Sequence, residues 1–168
     1  MVTTGFIIKE EYIMERIRGF EVLPEFADKS EDIATKLGLS SFIPQRATRG
    51  SSGYDLRAIE DVVVYPGEVK LVGTGLTAYM QEDEELQLRS RSSFAKRKIT
   101  IANCPGTVDS DYYGKHIMFL IYNQTAEHFM IKAGDRIGQG IFSKYLTTDE
   151  DHPMSESRFG GFGSTGTK

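Results

Sequence analysis

From Ser52 to Phe142 the chain is a succession of short β-branched and aromatic runs, most of them cut off by glycine, proline, asparagine or aspartate. Val62-Val63-Val64-Tyr65 stops at Pro66-Gly67. Val69 to Met80, Leu86 to Arg89, Ile99 to Ala102, Ile117 to Tyr122, Phe129 to Lys132 and Arg136 to Phe142 follow. Many short strands at such spacing predict an all-β fold, a sandwich, jelly roll or barrel, rather than a parallel α/β sheet. Upstream, Ser30 to Gly38 reads as one short helix: Ser30 can cap it, Glu31 and Asp32 suit its first turn, and Gly38 stops it. Ile33 and Leu37 are expected to face the body. Residues 1–19 mix helical and strand spacing and read as an appendage with a candidate first strand. Residues 20–157 read as the β domain. Residues 158–168 read as a flexible lid, since Gly160, Gly161, Gly163 and Gly166 leave that stretch unable to hold one conformation in isolation.

A length of 168 residues suits one such domain, and 39% hydrophobic residues suffice for a sizeable core. The formal net charge of −4 gives no electrostatic reason to expect a nucleic-acid partner. No apolar run approaches a membrane span, and the acidic start, with Glu10, Glu11 and Glu15, lacks the profile of a signal or transit peptide. The one thiol, Cys104, excludes an intrachain disulfide. The expected compartment is the cytoplasm, that of the host if the chain is viral. His116, His128 and His152 lie far apart and form no metal-ligand pattern with Cys104. His116 and His128 fall at strand positions and read as surface or packed histidines.

Five islands carry polar residues that a plain β domain does not need. The first, Ser52 to Ala58, sets Asp55 among apolar neighbours beside Gly53, a costly place for a carboxylate unless it serves metal or structure. The second, Arg89 to Arg97, interleaves guanidiniums with serine hydroxyls, both good donors to phosphate oxygens, and contains no P-loop. The third, Asn103 to Gly114, reads as a β-hairpin with exposed amides, Asp109 and Asp111, and an aromatic gate. The fourth, Ala133 to Phe142, is a turn feeding a strand, in which Gln139 can hold a phosphate or support a loop. The fifth is the glycine tail with Arg158 and Phe162, able to neutralise a phosphate and stack on a base. Taken singly, each island also reads as a turn aspartate, a solvated basic turn, a decorated hairpin or a frayed end.

In this order the islands resemble the five motifs of the homotrimeric dUTPase family, over about Gly53 to Gly166: G-Y-D-L, R-S-S-x-A, G-x-V-D-S-D-Y, G-D-R-I-x-Q and G-G-F-G-S-T-G. Arg18-Gly19-Phe20-Glu21-Val22 is similar to the opening strand of some members. The resemblance implies a distorted jelly roll (a β-clip) and hydrolysis of dUTP to dUMP and pyrophosphate, which limits uracil in DNA and supplies dUMP for dTMP synthesis. It implies Asp109 as the base that activates the water attacking the α-phosphorus, and Tyr112 as the stacking residue that leaves no room for a 2′-hydroxyl. Asn103 and the backbone of Gly106, Thr107, Val108 and Asp109 are implied to read the uracil edge. Arg91, Ser92, Ser93 and Gln139 are implied to hold the phosphates, with Arg158 assisting. Phe162 and Gly163 are implied to close over the base, and Ser164 and Thr165 over the terminal phosphate. Mg²⁺ is implied as cofactor, bound chiefly by substrate phosphates and water, with Asp55 acting on it through water. A homotrimer is implied, with each site shared between subunits.

Two positions depart from the family pattern. Ser93 stands where many members have glycine, and Ser157 occupies the usual place of the fifth-motif arginine, with Arg158 one residue later. Two other readings share the fold: a dCTP deaminase and a catalytically silent binding or regulatory homologue. The deaminase resemblance requires a catalytic glutamate five residues past Gly114, where this chain has Phe119.

Overall fold

The computed structural model describes residues 16–153. The appendage up to residue 15 and the tail from residue 154 lie outside them. The described chain forms eleven strands: β1 (Gly19–Val22), β2 (Tyr54–Arg57), β3 (Val62–Val64), β4 (Val69–Gly73), β5 (Leu76–Tyr79), β6 (Glu84–Arg89), β7 (Ile99–Ile101), β8 (Gly106–Asp109), β9 (Met118–Asn123), β10 (Phe129–Ile131) and β11 (Arg136–Lys144). Two helices accompany them, α1 (Ala27–Lys36) and the single turn α2 (Ser92–Ala95). The strands pair antiparallel as β1-β5, β10-β3, β2-β11-β6-β8 and β4-β9-β7. This is the expected jelly-roll type of all-β fold, and the described sheets do not close into a barrel.

The long apolar run from Val69 divides into β4 and β5 around Thr74-Gly75. Gly75 sits at φ +70°, and a Cβ there would press on Ile59 and Phe26 at 2.9–3.2 Å, so glycine lets the chain turn from one sheet into another. β4 then pairs with β9, and β5 with β1.

Helix α1 begins earlier than its sequence signals suggest. A 3₁₀ turn, Pro24–Phe26, leads into it with proline at the start, where a missing N–H costs nothing. Ser30 is therefore not the cap. It is buried inside the helix, and its hydroxyl donates to the Ala27 carbonyl at 2.8 Å. Gly38, at φ +65°, follows the helix end as expected. Ile33 is buried, whereas Leu37 is 47% exposed, with its side chain beside Gly134.

The third island is not a hairpin. β7 pairs with β9 while β8 pairs with β6, so residues 102–105 cross between sheets. Both strands still bury alternate residues in the shared core, Ile99 and Ile101 from one and Gly106 and Val108 from the other. His116 and His128 lie just outside β9 and β10 rather than in strands.

Side chains with no measurable exposure, among them Leu56, Val72, Leu86, Ile99, Ile117, Phe119, Ile121, Ile131 and Ile137, fill the core. Packing there is tight: a Cβ on Gly138 would lie 2.1 Å from Phe119 Cε1, so the β11 backbone lies directly against that ring.

Candidate active site on the polar sheet face

Strand alternation gives the four-stranded sheet two unlike faces. Tyr54 and Leu56 of β2, Gly138, Gly140 and Phe142 of β11, Leu86 and Leu88 of β6, and Gly106 and Val108 of β8 point inward. The residues between them share the outer face: Asp55, Gln139, Ile141, Ser143, Arg89, Gln87, Glu85, Thr107 and Asp109, polar apart from Ile141. Every expected strand-borne site residue with a functional side chain lies on that outer face. A register slip of one residue on any strand would move its polar set into the core, so the hydrophobic pattern also fixes the site.

At one end of this face the register aligns Asp55, Gln139 and Arg89 across three strands. Asp55 is two-sided. Arg91 Nε donates to its Oδ1 at 3.0 Å and Arg136 Nη1 to its Oδ2 at 3.0 Å. Arg91 Nη1 also donates to Ser93 Oγ and to the Arg136 carbonyl, each at 3.3 Å. Gln139 Nε2 donates to the Ser90 carbonyl at 3.3 Å and so supports the Arg89–Arg91 stretch. Gly53 belongs to this assembly for a steric reason: a Cβ there would meet Gln139 Oε1 at 2.3 Å. Ser92 and Ser93 open α2 and are exposed. Arg57, also on β2, donates to the Gly134 carbonyl at 2.6 Å. Burial pushes its guanidinium below its ordinary value, and the positive charges of Arg136 and Arg91 push the same way against Asp55 and Asp135.

At the other end Asp109, half-buried at the end of β8, lies directly opposite Glu85. Ser143 Oγ and Gln87 Nε2 both donate to Glu85 Oε1, at 3.1 and 2.6 Å. The backbone then enters a 3₁₀ turn, Ser110–Tyr112. The Tyr112 ring packs against the core, and its hydroxyl donates to the His116 carbonyl at 3.3 Å. Asn103 is exposed and lies over Gly106, whose Cβ position is 3.2 Å from the Asn103 amide nitrogen. Thr107 is exposed between the buried Gly106 and Val108.

The two ends are far apart. Asp109 and Asp55 differ by four residues along the strands and three strands across, about 13 Å by about 14 Å, or roughly 19 Å on the face of one chain. The structure thus groups Asp55, Arg91, Ser93 and Gln139, groups Asn103 with Gly106 at the start of the strand that ends at Asp109, and sets Asp55 apart from Asp109. Arg158, Phe162, Gly163, Ser164 and Thr165 lie outside the described residues. Arg136 is the residue the sequence reading passed over. Its signal was available in the register, since a β2 aspartate opposite Gln139 brings the start of β11 beside it.

Among the described residues no group of three or more His, Cys, Asp or Glu could hold a metal ion. Asp55 is the one carboxylate in the basic cluster, and both of its oxygens accept from guanidiniums. Such a donor set suits a cation that arrives on phosphate oxygens with its waters, not one caged by protein. No helix among the described residues is long and apolar enough to cross a membrane.

Comparison with known proteins identifies the family to which this fold and sequence belong. A family model for dUTPase matches residues 40–166. The chain is similar to the deoxyuridine 5'-triphosphate nucleotidohydrolase of Lactococcus lactis, 40% identical over 158 residues that cover 90% of this chain and 99% of that one. The enzyme of the same name from Nautilia profundicola is 43% identical over 136 residues, 78% of this chain and 95% of the relative. Among solved structures, the dUTPase of Streptococcus mutans superposes with a TM-score of 0.68 at 34% identity, covering 78% of this chain and 98% of that one. A dUTPase of phage phi11 of S. aureus, described with a structural Mg(II) ion, shares the fold at 18% identity and a TM-score of 0.65, covering 82% of this chain and 97% of that one.

Proposed function

The chain belongs to the dUTPase family and is a dUTP diphosphatase, hydrolysing dUTP to dUMP and pyrophosphate; we propose that it does so with Asp109 as general base at a site shared between subunits of a homotrimer. The observation that supports the shared site is the separation of Asp109 from Asp55 on one chain, roughly 19 Å between their backbone positions. A second copy can bring its cluster to the Asp109 end, and closed cyclic symmetry then builds every site alike.

In this reading Arg91, Ser92, Ser93 and Gln139 hold the phosphate chain. Asp55 and Arg136 keep the Arg91 fork oriented, two contacts that suit a planar guanidinium. Asp109 accepts a proton from water as the water oxygen bonds to the α-phosphorus. The bond from that phosphorus to the bridging oxygen breaks, and pyrophosphate leaves. Asn103 and the Gly106–Asp109 backbone read the uracil edge: cytosine reverses its donor and acceptor, and thymine adds a methyl. Tyr112, anchored through its hydroxyl, presents a fixed ring to the sugar and excludes a 2′-oxygen by sterics. Arg158, Phe162, Gly163, Ser164 and Thr165 of the 158–168 segment act as the lid. Mg²⁺ would be held chiefly by the substrate phosphates and water, with Asp55 as the residue that would support it through water, and would supply neutralisation of the phosphate charge.

The deaminase reading has no proton carrier to work with, because Phe119 is fully buried against Gly138. The test of the function is pyrophosphate release from dUTP, with dCTP and UTP as controls. Rapid release from dUTP alone is the expected result. Ammonia release from dCTP, or nucleotide binding without turnover, would replace the reading.

A further inference from the structure

On the far side of the basic cluster from β6, residues 39–47 and the start of β11 enclose a cleft of about 260 Å³. Three guanidiniums line it, those of Arg46, Arg57 and Arg136, with Asp55 as its one carboxylate. This local excess of positive charge stands in a chain whose net charge is −4, so it is not the background of a basic protein. Each guanidinium is held at one corner. Arg46 Nη1 donates to the Arg49 and Ser51 carbonyls at 3.0 and 2.9 Å, Arg57 Nη1 to Gly134, and Arg136 Nη1 to Asp55. Each has five N–H donors, and among the described residues the Nε and Nη2 groups of all three keep unspent ones. Fixed forks with unspent donors around a small cleft form a pre-organised oxyanion receptor. A structural network would have matched the charges, as Arg18 does by donating from two nitrogens to the buried Glu84.

We propose that this cleft is a second anion site, lined by Arg46, Arg57 and Arg136, that binds an oxyanion of the phosphate class alongside the substrate-phosphate cluster. Asp55 and Arg136 belong to both, so the Arg136–Asp55 ion pair links the cleft to the cluster that holds Arg91. The occupant is a free oxyanion, phosphate or pyrophosphate; the phosphate tail of a bound nucleotide has the same chemistry and is the competing source that the experiment separates.

The experiment titrates the whole chain with inorganic pyrophosphate by calorimetry and by amide NMR, without and then with a saturating α,β-imido analogue of dUTP. Analogue binding is measured first, and its failure would count against the catalytic reading alone. The expected result is that pyrophosphate still binds with the analogue present and shifts the amides of residues 41–47. Arg46→Gln is expected to weaken that binding at least tenfold while leaving the analogue's affinity within twofold. Loss of pyrophosphate binding once the analogue is bound would make the cleft an extension of the substrate site and overturn the proposal. So would equal pyrophosphate affinity in a folded Arg46→Gln chain. If that variant does not fold, Arg57→Lys serves in its place, with the same tenfold criterion and the same overturning result.

Discussion

At the basic end of the polar face Asp55, Arg91, Arg136 and Gln139 are interlocked by hydrogen bonds that join β2, β11 and the loop after β6. At the acidic end Asp109 faces Glu85, a like charge directly across the ladder, an arrangement that strands ordinarily avoid. The basic end is organised within one chain to hold an anion. The acidic end sets Asp109 across from Glu85 at the end of β8, apart from the guanidiniums. In the proposed reading, binding and proton transfer stand at opposite ends of one sheet, and assembly into a trimer would bring them together.

The largest effect should come from removing the acidic end alone. Asp109→Asn is expected to keep dUTP binding and lose roughly 10²–10⁴-fold in kcat, the range for a positioned base. Calorimetry with single-turnover kinetics checks it, and a near-normal kcat would shift the base elsewhere.

Mixing chains sharpens the comparison further. Asp109→Asn chains and chains truncated after Ser157 should each be nearly inactive as homotrimers. Co-assembled at random, about a quarter of sites should combine an intact Asp109 from one chain with an intact tail from another. Activity that stays at the level of the inactive parents, in mixed trimers verified by mass spectrometry, would rule out sites shared in this way.

The basic end should respond more mildly. Asp55→Asn removes the carboxylate that holds two guanidiniums, leaving Arg91 with Ser93 and the Arg136 carbonyl. The expected loss in kcat/KM is about 10–100-fold, the range for one charge-assisted pair, carried mainly by KM. A larger loss in kcat at unchanged KM would instead assign Asp55 to the chemical step.

The smallest effect concerns the approach to β9, behind Tyr112. The Gly75 N–H donates to His116 Nε2 at 2.7 Å, so that nitrogen must be unprotonated, and the ring packs tilted at 44° against Phe26, with centroids 4.7 Å apart. Burial holds the imidazole below its ordinary 6.5, with Glu25 and Glu60 opposing. The unfolded chain therefore binds the proton more readily. Stability should be full above about pH 6.5 and decline as pH falls from there towards the lowered folded value. Urea melts across this window should show the decline in the parent and its absence in His116→Gln.

Much of this was legible in the residues. Period-two alternation with turn residues between runs gave the all-β class, because side-chain direction in a strand depends only on parity. The same parity set which residues could share the outer face, Asp55 with Arg57 and Thr107 with Asp109. What the sequence could not carry was partnership between distant strands. The apparent hairpin at Asn103–Gly114 has local turn signals, yet β8 within it pairs with β6 while β7 before it pairs with β9, because burying both Ile99–Ile101 and Gly106–Val108 in one core outweighs a local turn. The helix start moved to Ala27 because Pro24 opened a turn that docks ahead of Ser30. Arg136 became a partner of Asp55 only through the β2–β11 pairing across 81 residues of chain. Local patterns settle which way a side chain points, whereas long-range strand pairing settles which side chains meet, since that choice is made by the packing of the whole core.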